Sequence, residues 1–310
     1  MTNSTPRIAY LGPAGTFTEQ ALMSQPDLAN DELVPMPKFV DVLDATSNGD
    51  VDHGFVAIEN AIEGTVNITL DALAFDHDLL IQREVVLDIR LNLMAAPGVA
   101  LSDITTVYSH PVANAQCREF LHKELPDAEV KAANSTSEAA VMAMEQPGLG
   151  AVAPSLAAEK HGLELLATDI ADHPGNQTRF VLVAPNGVPA PTGHDKTTVV
   201  LHQRADKPGS LVAILQEFAA RNINLSRLSS RPVKTALGSY CFIIDLDGHI
   251  GDDVVADCLR NIRAKHADVK FLGSYPAAGV GSSEVRDEVT SALSEAAEWM
   301  QSLRAKIPKG

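Results

Sequence analysis

At 310 residues, 45% hydrophobic and 21% charged, the chain has the composition of a globular protein with room for two or three domains. Its 24 basic against 40 acidic side chains leave a formal charge of -16, which excludes the basic field that non-specific nucleic-acid binding needs but not a small anion held by local donors. No run approaches the ~18 apolar residues of a membrane span, no apolar stretch precedes Ile8 to suggest a signal peptide, and Cys117, Cys241 and Cys258, odd in number and without C-x-x-C, read as reduced thiols in a cytosolic core.

Ile8–Leu11 is a short apolar strand running into Gly12-Pro13-Ala14-Gly15 and then Thr16-Phe17-Thr18-Glu19. Thr16 and Glu19 have capping-box spacing, so a helix should open on the glycine turn, where backbone N–H groups at Gly15 and Thr16 suit an anion. The spacing fits neither G-x-G-x-x-G nor a P-loop, which argues against a nucleotide. A tight strand-to-helix turn without a ligand is the plain alternative. A helix over Val40–Ser47 and a strand His53–Ile58 follow. The strand ends in Glu59-Asn60-Ala61-Ile62-Glu63-Gly64, where carboxylates and an amide crowd at the position at which α/β sheets bind ligands. A charged loop before a helix Ile68–Phe75 would use the same residues.

Leu79–Ala96 reads as one or two extended strands crossing between lobes. A second α/β series comes next: strand Thr106–Tyr108, a helix opened by Ser109-His110-Pro111 and running to about Leu125, strand Glu129–Ala132, and a helix capped by Ser135-Thr136-Ser137-Glu138. Strand Gly150–Ala153, helix Ser155–His161 and strand Leu163–Thr168 complete it. His110 taken alone is an ordinary residue at a helix start, and His161 and His173 lack metal-ligand spacing. At Asn176-Gln177-Thr178-Arg179-Phe180 a loop becomes a strand running into Val181–Ala184, with an amide, a hydroxyl, a permanent cation and an aromatic ring at its start. Thr-Arg-Phe alone is a weak signal, and a strand start with a surface arginine is an equal alternative. The recurrence of polar residues after strands predicts two doubly wound lobes, the second over about 90–170, facing each other across a cleft.

Residues 185–195 are rich in proline and glycine and read as a linker. Beyond them, 196–276 has the order βαββαβ of a ferredoxin-like domain. One helix is marked by Leu211, Ile214, Leu215 and Phe218, the other by Val254, Val255, Cys258, Leu259 and Ile262, and the central strands flank a turn containing Gly238. In the tail, 280–310, an amphipathic helix is expected from Val285, Val289, Leu293, Ala297, Met300 and Leu303.

In their order and spacing, Tyr10–Phe17, Ile58–Gly64, Ser109-His110-Pro111 and Asn176 with Thr178-Arg179-Phe180 resemble the prephenate dehydratase family, and the resemblance covers about residues 7–275. Pro208-Gly209-Ser210-Leu211 and Arg231-Pro232 resemble its ACT-domain motifs. The resemblance implies an α/β protein whose catalytic region, 7–184, is two-lobed and periplasmic-binding-protein-like, followed by an ACT regulatory domain at 196–276, with no helical mutase domain in front. It implies a cytoplasmic lyase converting prephenate to phenylpyruvate with loss of CO2 and water. L-phenylalanine would be the effector, with no metal or organic cofactor and no nucleic-acid or membrane partner. A homodimer or homotetramer is expected, since ACT sheets pair by their edges.

On the same ground Thr178 is the candidate donor to the leaving hydroxyl, Arg179 a carboxylate clamp, Phe180 a ring contact and Glu63 a reserve proton source. Gly15, Thr16, Asn60, Ser109, His110 and Asn176 are candidates for substrate binding. Gly209, Ser210, Leu211, Asn224, Ser229, Ser230, Arg231 and Pro232 are candidates for the effector site. Three positions depart from the family pattern: Ala57 for a proline, Pro154 for a small residue, and Ser229 for the glutamate of the effector motif, which puts effector strength and identity in question. Arogenate dehydratase and a non-catalytic anion sensor of the same two-lobed form are the alternatives. The missing signal peptide, helix-turn-helix and basic patch weigh against the sensor.

Overall fold

Ile8, Ala9 and Tyr10 are all buried, a continuous apolar run suited to a strand covered on both faces. They form the centre of β1 (Arg7–Leu11), which pairs in parallel with β2 (Glu32–Met36) and β3 (His53–Asn60) in a computed structural model describing residues 5–204, 207–233, 240–278 and 299. The crossovers are α1 (Phe17–Met23) and α2 (Phe39–Asn48), both packed on this sheet. β2 has no counterpart in the sequence reading. It is a half-exposed edge strand containing Pro35, and proline within a run argues against a strand except at an edge. β4 (Gly64–Thr65) folds back on β3, and α3 (Asn67–Asp71) follows, its last turn widened through Asp76, before β5 (Leu80–Asp88).

The chain then builds a second sheet from β6 (Asn92–Ala95), β7 (Thr106–Ser109), β8 (Glu129–Ala132), β9 (Leu149–Ala153) and β10 (Glu164–Ala167), in the order β10-β6-β9-β7-β8. Its helices are α4 (Pro111–Gln116), α5 (Arg118–Glu124), α6 (Thr136–Glu145) and α7 (Ser155–His161). The single helix expected to reach Leu125 is broken at buried Cys117. The carboxylate of Asp172 accepts the N–H groups of Glu119 (3.1 Å) and Phe120 (3.5 Å), starting α5 afresh. β11 (Gln177–Ala184) returns to the first sheet and lies between β3 and β5, antiparallel to both, giving the order β2-β1-β3-β11-β5. The two lobe crossings are bonded to each other, Ile89 N–H to the carbonyl of Asn176 and Ile170 N–H to that of Leu91, each at 2.8 Å. Leu79–Ala96 is therefore two strands in two sheets.

These elements form one unit, Met1–Val188; a second covers Pro189–Gly310. The second contains β12 (Asp195–Gln203), α8 (Ser210–Ala219), β13 (Leu225–Pro232), β14 (Tyr240–Asp247), α9 (Asp253–Lys265) and β15 (Ala267–Pro276), the βαββαβ order, with sheet order β13-β14-β12-β15. Ile214 and Phe218 of α8 and Cys258 and Ile262 of α9 pack on Val199, Leu201, Ile244 and Leu246 of the sheet. Each large apolar side chain buried this way contributes about 1.5–3 kcal/mol. The three cysteines are unbridged and buried, and burial pushes the thiols of Cys117 and Cys258 up to about 12, far from the reactive range. Among the described residues no helix is long and apolar enough to cross a membrane. The turn with Gly238 and, Trp299 apart, the tail helix over 280–310 lie outside the described residues.

Candidate active site

Side chains of successive strand residues point to opposite faces, so the start of β11 sorts its own triplet. Thr178 and Phe180 line a cleft of about 1180 Å³ between the two lobes of the first unit, and Arg179 does not. Phe180 is buried, its ring stacked on Phe55 with centroids 5.3 Å apart and planes 9° apart, so its edge of the cleft is rigid and apolar. The guanidinium of Arg179, expected to clamp a substrate carboxylate, instead donates from Nε to Glu84 of β5 at 2.6 Å, with Nη1 3.6 Å from Glu59 of β3. Both partners are buried: the Arg179 side chain is 10% exposed and that of Glu84 0%.

The Thr178 hydroxyl accepts a hydrogen bond from Nδ2 of Asn60 at 2.8 Å. The orientation of that amide is set by its other end, since Oδ1 accepts the N–H groups of Ile62 (3.0 Å) and Glu63 (2.9 Å). An accepted bond leaves the hydroxyl its own proton to donate. Asn60 Nδ2 also donates to Asn176 Oδ1 at 2.9 Å, and Asn176 Nδ2 donates to Oε1 of Gln116 at 3.0 Å. Gln116 Nε2 in turn donates to a carboxylate oxygen of Glu63 at 3.4 Å. Asn60, Asn176, Thr178 and Glu63, all anticipated from sequence, are thus brought together. Gln116, from α4 of the second lobe, was not anticipated. Its one sequence signal is a long amide at a buried helical position beside Cys117.

Within the glycine turn, Gly12, Pro13 and Thr16 line the cleft and Gly15 does not. Gly15 has φ +84°, its N–H donates to buried Glu19 at 2.6 Å, and a Cβ there would stand 2.9 Å from Ser137 Oγ of the second lobe. It is a point of close approach between lobes and does not line the cleft. Beside it the Ser137 hydroxyl donates to the carbonyl of Ala14, and Lys160 meets Glu19 at 2.5 Å. Burial, and then Glu19, keep the Tyr10 phenol protonated well above its ordinary range. Ser109 is also not in the lining: it is fully buried and its hydroxyl donates to the carbonyl of Val152 at 2.6 Å.

Thr16 does line the cleft and caps α1, its hydroxyl accepting the N–H of Glu19 at 3.5 Å. In the second lobe Ser135 caps α6 in the same way, accepting the N–H of Glu138 at 2.9 Å, and Asn134, Ser135 and Thr136 line the opposite wall. In both caps the glutamate reaches the N–H of the residue before the cap, Gly15 in one and Asn134 in the other. His110 lines the cleft and caps α4, Nδ1 accepting the N–H of Val112 at 3.4 Å. Lys38, not anticipated, is the one lysine or arginine in the lining among the described residues.

In the second unit Gly209, at φ +88°, precedes α8; Ser210 Oγ accepts the N–H of Lys207 at 3.2 Å; and Leu211 packs on the core. Asn224 donates to Asp247 at 2.8 Å, and Ser229, Ser230, Arg231 and Pro232 end the edge strand β13.

Residues 8–187 match the family model described as prephenate dehydratase, and residues 197–264 match that of the ACT domain. The chain is 42% identical over 317 residues to the prephenate dehydratase of Mycolicibacterium vanbaalenii, covering 98% of this chain and 100% of that one. Among solved structures it is similar to the prephenate dehydratase of Arthrobacter aurescens in complex with L-Phe, at 40% identity and a TM-score of 0.85 over 96% of this chain and 99% of that one. It is also similar to a chain described as a novel type of quorum-quenching acylase, at 27% identity and a TM-score of 0.77 over 88% and 98% of the two chains. With the two-lobed unit matched almost end to end and the ferredoxin-like unit matched behind it, the chain belongs to the prephenate dehydratase family, in a form that carries an ACT domain.

Proposed function

We propose that the cleft converts prephenate to phenylpyruvate and that Thr178 donates to the hydroxyl as it leaves. The observation that carries this is the bond from Asn60 Nδ2 to Thr178 Oγ, which turns the threonine proton away from Asn60. In the reaction the bond from the ring to its carboxylate breaks, its electron pair passes through the ring diene, and the C–O bond opposite breaks. Prephenate dianion and one proton yield phenylpyruvate anion, CO2 and water. Charge develops on the departing oxygen, and a placed donor there contributes about 10²–10⁴ in rate.

Phe180 packs the ring and keeps water from that face. The substrate carboxylates are met by Lys38, by Thr16 and by the first turn of α6 at Ser135 and Thr136, where a helix start favours negative charge. His110 lines the same space. Glu63 also lines the cleft, where its carboxylate accepts from Gln116 Nε2 at 3.4 Å, and in this reading it is the reserve source of the proton that completes the departing water. Incubation with prephenate and with arogenate, following phenylpyruvate and phenylalanine, tests the substrate. Turnover of prephenate is expected, and turnover of arogenate alone would sink the reading.

The ferredoxin-like unit, joined through 185–195, is the effector domain in this reading, with L-phenylalanine bound by Gly209-Ser210-Leu211, Asn224 and the end of β13. Calorimetry on the whole chain should show phenylalanine binding; no heat at millimolar ligand would mean that Ser229, in place of a carboxylate, has abolished the site. Strand β13 leaves an edge for a second copy, so a homodimer or homotetramer is proposed. The protein is placed in the cytoplasm.

A further inference from the structure

On the dehydratase reading of the cleft, we infer that Lys38 determines specificity: its ammonium pairs with the carboxylate of the substrate's three-carbon side chain and selects a keto acid there over an amino acid. The two substrate carboxylates have different fates. That of the side chain keeps its charge throughout, whereas the ring carboxylate gives up its electron pair and departs as CO2. A full cation on the ring carboxylate would stabilise the ground state more than the transition state and slow the reaction. A cation therefore belongs with the side-chain carboxylate, and neutral hydroxyl and N–H donors with the one that leaves.

The lining has this division. The caps at Thr16 and Ser135 offer only neutral donors, and Arg179 is held by Glu84 outside the lining. Lys38 takes part in no ion pair among the described residues and, at the N-cap of α2, makes no side-chain capping bond. The carboxylates of the lining are turned to other donors, Glu63 to Gln116 Nε2 at 3.4 Å and Glu138 to the N–H of Asn134 at 2.7 Å. The lysine charge is thus left for a ligand. Its backbone is anchored, because Phe39 packs on the cluster that contains Phe55 and Phe180. The lining around it is apolar, with Pro35, Met36, Pro37 and Val40, which lowers the local dielectric and extends the reach of the charge. The side chain of arogenate carries an ammonium beside its carboxylate, so the same cation that attracts prephenate there repels this competitor.

The test compares Lys38→Gln, Lys38→Glu and Lys38→Arg. Lys38 is exposed, so all three should melt as the wild type does. The side-chain carboxylate is charged in the ground and transition states alike. Lys38→Gln should therefore raise KM for prephenate about tenfold with kcat within about threefold. Arogenate, measured as a competitor of prephenate turnover, should bind the Gln variant no more weakly than the wild type. Lys38→Glu should lower the ratio of prephenate to arogenate affinity by about a hundredfold, and Lys38→Arg should keep KM for prephenate within about threefold of wild type. Added salt should raise KM of the wild type more steeply than that of the Gln variant.

A Gln variant with KM for prephenate within about twofold of wild type would overturn the inference. So would a loss of affinity that falls equally on prephenate and arogenate, since a general or structural role has no preference between them, and so would a loss in kcat alone. A wild-type chain forming no phenylpyruvate from prephenate would overturn the dehydratase reading, and this inference with it. An active wild type beside unaffected variants would overturn this inference alone.

Discussion

Replacing Thr178 by alanine should reduce phenylpyruvate formation by about 10²–10⁴-fold and leave the fold intact. The hydroxyl is the one group at the start of β11 that faces the cleft with a proton directed away from its protein partner. Its removal costs Asn60 Nδ2 an acceptor, but the carbonyl of Gln177 lies 3.3 Å from that nitrogen and can take the bond more fully. The stability cost should therefore stay near about 1 kcal/mol, the net worth of one such bond. Thr178→Val, which keeps the shape, should be as inactive as the alanine variant, and Thr178→Ser should recover much of the rate. Initial rates and thermal melts on the same preparations measure both. A folded alanine variant with near-normal turnover would remove Thr178 from the role of donor.

Glu84→Ala is expected to destabilise the first unit by about 3–5 kcal/mol, because it strands the buried guanidinium of Arg179 without its nearest carboxylate. Glu59, the other acid nearby, is 3.6 Å away and 39% exposed, a poorer partner than Glu84 at 2.6 Å. Denaturant titration would show the loss as a lower midpoint. Adding Arg179→Met should restore most of it, since the cost arises from a buried charge that has lost its nearest carboxylate and not from the missing contact. The role expected of Arg179 from sequence predicts something else, a large rise in KM in the Arg179 variants with stability unchanged. A loss below about 1 kcal/mol for Glu84→Ala would favour that earlier view.

The fate of Arg179 shows where the amino-acid order stops being informative. That a strand begins near Thr178 is legible locally, as are the caps at Thr16 and Ser135, because strands and helix starts depend on residues within a few positions of each other. The break of the helix at Cys117 was not legible, since Asp172, which starts the second half, stands 53 residues from Glu119. β2 escaped notice for a different reason: a short edge strand with a proline buries too little to show a pattern.

Within the site the division is the same. Sequence alone determined two α/β lobes, a βαββαβ unit behind them, and polar strand ends at Asn60, His110 and Thr178 that the fold was bound to bring near a cleft. These follow from periodicity, capping and the rule that ligands meet α/β sheets at strand ends. Tertiary structure alone decided which members of each motif face the cleft. It paired Arg179 with Glu84, 95 residues away, pressed Gly15 against Ser137, turned Ser109 to Val152 and brought Gln116 to Asn176, 60 residues away. The physical reason is that a side chain's partner depends on strand register and on how two sheets approach, and neither is encoded in the few residues around it.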